Sequence, residues 1–106
     1  MPASYKGSMA FPASGDHVFQ ACLQAAPQCK FRVVSSNPEA GEIHARASMG
    51  FRSWGENIAI NVSSDGRVDV KSSCRGIQLV DYGKNRANVD ALFAALAVLV
   101  PSGSDG

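Results

Sequence analysis

Residues 56–75 read ENIAINVSSDGRVDVKSSCR, two stretches of alternating apolar and polar residues joined by Ser-Asp-Gly. Period-two alternation places Ile58, Ile60 and Val62 on one face of the first stretch and Val68, Val70, Ser72 and Cys74 on one face of the second, as expected of strands with one covered and one solvated face. Residues opposed in an antiparallel pair must point to the same side, so this phase also selects the loop. A two-residue loop, Asp65-Gly66, would set Val62 against Asp69. A three-residue loop, Ser64-Asp65-Gly66, sets Val62 against Val68, Ile60 against Val70 and Ile58 against Ser72, with Gly66 in the left-handed conformation such hairpins use. The second arrangement is expected.

The same reading extends in both directions. Tyr5, Gly7, Met9 and Phe11 share one side of a first strand over residues 3–11, which Pro12 ends. In SGDHVFQACLQAAP, Ser14 can cap a helix with Asp16 in its first turn; Val18, Phe19, Cys22, Leu23 and Ala26 form its apolar stripe, and Pro27 closes it. Turn signals at NPEAG (37–41), MGFRSWG (49–55) and SDG (64–66) then separate four strands, KFRVVSS, EIHARASM, ENIAINVS and RVDVKSSCR. A long final helix buries Val89, Leu92, Phe93, Leu96, Leu99 and Val100. Its back carries Ala91, Ala94, Ala95 and Val98, and is expected either to be covered by another element or to offer a contact for weak self-association.

This order, β-α-β-β-β-β-α, implies a two-layer α+β domain over residues 1–101, with both helices on one face of an antiparallel sheet and a polar tail at 102–106. A chain of 106 residues with 45% hydrophobic and 18% charged residues can bury one core without staples. A net charge of +1 gives no general pull toward nucleic acid or anionic membrane. The opening residues lack a basic leader and a signal-type apolar core, so a cytoplasmic location is expected. ALFAALAVLV (91–100) is about half the roughly 20 residues that span a bilayer.

Catalytic chemistry is sparse. Cys22, Cys29 and Cys74 lack metal-ligand spacing with one another or with His17 and His44, so neither metal nor cofactor is expected. Cys22 and Cys74 fall on apolar stripes and are expected to be buried, leaving Cys29 the most accessible thiol. Glu56, Asp81 and Lys84 could supply a base and an electrophile, but no nucleophile pairs with a histidine, and a non-enzymatic protein is expected. The outer sheet face gathers His44, Arg46, Arg67, Lys71 and Arg75 against Asp69. It lacks an aromatic on which a base could stack, so a solvated face is the simpler reading and an anion or nucleic-acid partner ranks second. First comes a module that binds a small molecule or a protein, for which Phe11, Phe51, Trp54 and Tyr82 lie at element ends.

One residue is out of place. Glu56 shares the inward phase of Ile58, Ile60 and Val62, and a carboxyl group there needs a partner. In the expected register it lies opposite Cys74, close to the start of the last helix in VDYGKNRANVD (80–90). Asp81 or Asn85 can cap that helix after a turn at Gly83, while its free N–H groups, with Lys84 or Arg86, could hold Glu56 under the cover of Trp54. Trp54, Glu56, Asp81, Tyr82, Lys84, Asn85 and Arg86 are therefore expected to form either a ligand site or a structural latch.

SWGENIAI (53–60) and LVDYGKNRANV (79–89) together resemble a family of small, uncharacterised bacterial proteins. In that family a Ser-Trp-Gly-Glu stretch opens a strand and an Asp-aromatic-Gly-Lys-Asn stretch opens the last helix. The resemblance covers the domain in element order and implies its fold, with no activity attached. The element order is also similar to the TATA-binding-protein-like topology and its helix-grip relatives, an analogy of fold alone.

Overall fold

The computed structural model describes residues 4–47, 56–74 and 82–100, and the side chains of all of these except 74 and 82–85. Along the chain come β1 (Ser4–Ala10), α1 (Gly15–Gln28), β2 (Phe31–Asn37), β3 (Glu42–Ala47), β4 (Glu56–Val62), β5 (Arg67–Cys74) and α2 (Tyr82–Leu99). The five strands form one antiparallel sheet in the order β1-β5-β4-β3-β2. The chain thus closes β1 onto β5, and the remaining neighbours are consecutive.

The β4–β5 hairpin has the register that its hydrophobic phase demands, with Val62 opposite Val68, Ile60 opposite Val70, Ile58 opposite Ser72 and Glu56 opposite Cys74. Gly66 closes the loop at φ 91°, and its carbonyl accepts from the Phe11 N–H at 3.0 Å, tying the hairpin tip to the end of β1. Asp65 accepts from the Ser63 hydroxyl at 2.5 Å, and this bond, ahead of one from the Arg67 N–H, holds its carboxyl below the usual range.

Ser14 caps α1, its hydroxyl accepting from the His17 N–H at 3.2 Å. The helix passes through Pro27 and ends at Gln28, one residue later than the sequence suggests. A proline in the last turn removes only its own N–H bond, and the following Cys29 N–H still reaches the carbonyls of Ala25 and Ala26. Lys30 then takes a left-handed conformation (φ 64°) to turn the chain into β2. The β2–β3 ladder shifts register between Val33 and Ser35, leaving Val34 about half exposed at the bulge.

The helix α2 begins at Tyr82, so Gly83 and Asn85 are helical residues rather than a turn and a cap. It lies over β1 and β5, and α1 lies over β2 and β4, with the two helices touching each other above the sheet. Gly7 permits this approach, since a Cβ there would sit 2.8 Å from both Phe93 and Val89. Val18, Cys22, Ile43, Ile58, Ile60, Val68, Val70, Val89, Leu92 and Leu96 form one sealed core between the layers. Ala91, Ala94 and Val98 face solvent, whereas Ala95, expected beside them, packs half-buried against the core. Among the described residues no helix is long and apolar enough to cross a membrane.

Candidate functional site

Glu56 is the first residue of β4, and its side chain enters the helix-sheet interface, where it is fully buried. Its partner is Asn88. The Asn88 amide donates to Glu56 Oε1 at 3.1 Å and to Ser72 Oγ at 3.2 Å, while Ser72 on β5 is itself fully buried. Among the described residues Glu56 Oε2 has no hydrogen-bond partner. Three polar side chains from β4, β5 and α2 therefore meet beneath the helix, in an otherwise apolar layer where unpaired polar groups are expensive. The helix geometry explains why Asn88 is the donor: it stands one turn before Leu92 and two before Leu96, both fully buried, on the inward stripe.

The sequence offers the helix N–H groups with Lys84 or Arg86 for this role, and the structure places Arg86 elsewhere. Its exposed guanidinium lies 3.5 Å from Asp90 one turn on and 6.0 Å from the centre of the Tyr5 ring. Two residues before Asn88 on a helix, it faces the solvent side of the Glu56 junction. Trp54, Phe51, Asp81 and Arg75 lie outside the described residues, as do the side chains of Tyr82, Lys84, Asn85 and Cys74. Asn88 and Ser72 are the members that sequence reasoning missed. Ser72 was on the correct face, and Asn88 was detectable from its four-residue spacing to Leu92 and Leu96.

The outer face of the sheet is a different environment, and its pairing sorts the side chains into rows across the strands. One row runs Lys6, Lys71, Ala59, His44, Ser35; the next runs Ser4, Ser73, Asn57, Arg46, Arg32. A third runs Ser8, Asp69, Asn61, Glu42, Asn37 and holds both acidic residues of the face. Asp69 is engaged there, accepting from Ser8 Oγ and lying 3.5 Å from Arg67 Nε. Of the basic residues expected on this face, Arg67 is thus partly neutralised, whereas His44, Arg46 and Lys71 stand in the acid-free rows. Lys6 and Arg32 join them through strand neighbours that local sequence does not specify.

The pairing puts like charges together. Lys6 is directly opposite Lys71, and Arg32 directly opposite Arg46. Such pairs destabilise a sheet, and none of the four makes an ion pair with a described residue. Between them the face is recessed. A hollow of about 550 Å³ is bordered by Lys6, Ser8, Lys71, Ala59, Asn61 and, at its acidic edge, Asp69, and one of about 290 Å³ by His44, Arg46, Asn57, Ala59 and Val34. Both share Lys71 and the small Ala59, so they adjoin over the middle of the sheet.

Among the described residues no group of three or more His, Cys, Asp or Glu side chains is placed to hold a metal ion. Burial pushes the Cys22 thiol up to about 12 and raises that of half-buried Cys29, so both favour the protonated, unreactive form.

No family model and no curated protein matches the chain. Among solved structures it is similar to the one titled "Crystal structure of Ara h 8.0201", with a TM-score of 0.43 and 8% identity over 93% of this chain and 98% of that one.

Proposed function

We propose that the protein is a non-enzymatic binding module whose ligand is anionic and is held on the outer face of the sheet. The observation that carries this reading is the pair of acid-free rows, in which Lys6 faces Lys71 and Arg32 faces Arg46 and none of the four is ion-paired with a described residue. Like-charged neighbours on a surface that serves only to be solvated bring a penalty and no gain, whereas an anion lying over them converts repulsion into charge-assisted hydrogen bonds. The recess over Ala59 gives the anion room to reach both flanks. The buried Glu56 cluster supports the same division of labour. With Glu56 and Ser72 sealed from solvent, it serves as the tie that holds α2 to the sheet.

Inorganic tripolyphosphate tests the reading. At low salt it should raise the unfolding temperature, since a ligand at about 100 times its Kd adds about 2.7 kcal/mol. The shift should shrink in the Lys6→Ala/Lys71→Ala variant and in high salt. An unfolding temperature unmoved by tripolyphosphate at low salt would overturn the proposal.

A further inference from the structure

We infer that the anion recognised by this face is the phosphodiester backbone of a single-stranded nucleic acid, lying across the strands along the two acid-free rows and read without regard to base sequence. The inference rests on the anionic-ligand reading above and adds the polymer.

The first argument is spacing. Lys6 and Lys71 belong to β1 and β5 at one side of the sheet, and Arg46 and Arg32 to β3 and β2 at the other. With strands about 4.8 Å apart and neighbouring rows about 7 Å apart, the centres of the two pairs are separated by about 16 Å, and the strip spans about 19 Å across the strands. No single phosphate or carboxylate reaches both pairs. A ligand that uses both must carry anionic groups repeatedly along its length; on β4, between the pairs, Asn57 can donate to it, and His44 stands two residues from Arg46 at the arginine end. The strip is also narrow, because rows on one face are about 7 Å apart. That width suits one chain, not a duplex.

The second argument is the kind of polar group on offer. The backbone N–H and C=O groups of β3, β4 and β5 are consumed on both sides by the ladder, so the middle of the face presents side chains alone. Of those side chains the two lysines and two arginines are donors only, while Asn57 and the hydroxyls of Ser4, Ser35 and Ser73 can donate or accept. A phosphodiester chain presents acceptors along its backbone and matches them. An acidic peptide brings amide N–H groups as well, and at the four cationic positions these meet donor-only side chains. A bilayer surface is flat and cannot enter the recess over Ala59, and the exposed large apolar side chain bordering it is Val34 alone. With no aromatic residue in either row, bases have nothing to stack upon, so binding follows the backbone and ignores sequence.

The test is fluorescence anisotropy of labelled oligothymidylate with the full chain. Tripolyphosphate, poly-glutamate and phosphatidylserine vesicles are the comparison ligands. Four phosphate contacts predict a salt slope of about −3 for log affinity against log salt, since each contact on a single strand adds about −0.7. Lys6→Ala/Lys71→Ala and Arg32→Ala/Arg46→Ala should each lower that slope by about 1.4 and weaken binding at low salt by roughly tenfold or more. An oligomer of about 12 nucleotides should bind far more tightly than one of about 3, and thymidylate and adenylate oligomers should bind alike. If tripolyphosphate binds through these residues while the oligonucleotide does not, the polymer inference fails and the anion reading stands. If neither binds, both fail. Equal or tighter binding of poly-glutamate or of vesicles overturns the inference, and so does a salt slope unchanged in both double variants.

Discussion

Replacing Asn88 by alanine should be the most damaging single polar substitution among the described residues, and its magnitude follows from the junction itself. The Asn88 amide donates to Glu56 Oε1 and Ser72 Oγ, both in fully buried side chains. Two hydrogen bonds contribute about 1 kcal/mol each, and leaving a buried carboxyl group without its donor adds about 1–3 kcal/mol. The sum is about 3–5 kcal/mol, a large part of the roughly 5–15 kcal/mol that holds a domain of this kind folded. The unfolding temperature should fall by at least about 12 °C, at roughly 4–8 °C per kcal/mol for a domain of this size. Urea unfolding should show a lower midpoint with an unchanged slope, because the surface exposed on unfolding hardly differs. Glu56→Ala removes the other end of the same bond, so a double-mutant cycle between Glu56 and Asn88 should give a coupling energy of at least about 1 kcal/mol. A loss below about 0.5 kcal/mol for Asn88→Ala, or strictly additive effects in the cycle, would refute the tie.

Lys30→Gly should stabilise the protein by about 0.5–1 kcal/mol, because φ at this position is 64° and glycine removes a Cβ penalty larger than its own entropic handicap; urea unfolding measures it. Gly7→Ala should destabilise by about 1–2 kcal/mol, since the new Cβ lands 2.8 Å from Phe93 and from buried Val89, and α2 must lift from β1; calorimetry would detect it. A maleimide should label Cys29 well before Cys22, whose thiol is fully buried and pushed up to about 12, and peptide mapping of the labelled native protein decides this. Asp65, held below its ordinary 3.8 mainly by the Ser63 hydroxyl, contributes stability that is present above that value and lost as the pH falls through its depressed folded value. Wild type should therefore lose its advantage over Asp65→Asn only in strong acid, an effect kept small by full exposure and read from acid unfolding curves.

Local pattern carried most of the fold. The β4–β5 register was fixed in advance because only one loop length keeps Val62, Ile60 and Ile58 facing apolar or small partners, and Glu56 fell opposite Cys74 as a consequence. Less legible were features decided by contacts remote in sequence. The partner of Glu56 was sought among the charges of Lys84 and Arg86, because charge is conspicuous in a sequence. Arg86 points to solvent, and an uncharged amide, Asn88, which one helical turn brings onto the buried stripe, donates to Glu56 instead; the Lys84 side chain lies outside the described residues. The end of α1 was misplaced by one residue because proline is tolerated where few further N–H bonds are needed. The basic face was recognised by phase, but its sharpest property, cation opposite cation, depends on which strands are neighbours. Pairing β1 with β5 brings Lys6 to Lys71 across 65 positions of sequence, and no local pattern specifies that.

Two departures from ordinary sheet chemistry lie on opposite faces of the same five strands, and they are resolved in opposite ways. On the inner face a carboxyl group sits where an aliphatic residue belongs, and the protein answers it from within, with Asn88 and Ser72 gathered around Glu56. On the outer face like charges sit where opposite charges would be favourable, and no described residue answers them. Natural sequences tolerate a broken local rule where function requires it and stability elsewhere carries the cost. A defect answered internally is structural; one left open at the surface calls for something from outside. The two are also coupled through the sheet, since Ser72, to which Asn88 donates, is adjacent in β5 to Lys71 in the cationic row. Anchoring α2 at Ser72 therefore fixes the strand that carries Lys71, and an anion bound across the strip would in turn brace β5 between its neighbours.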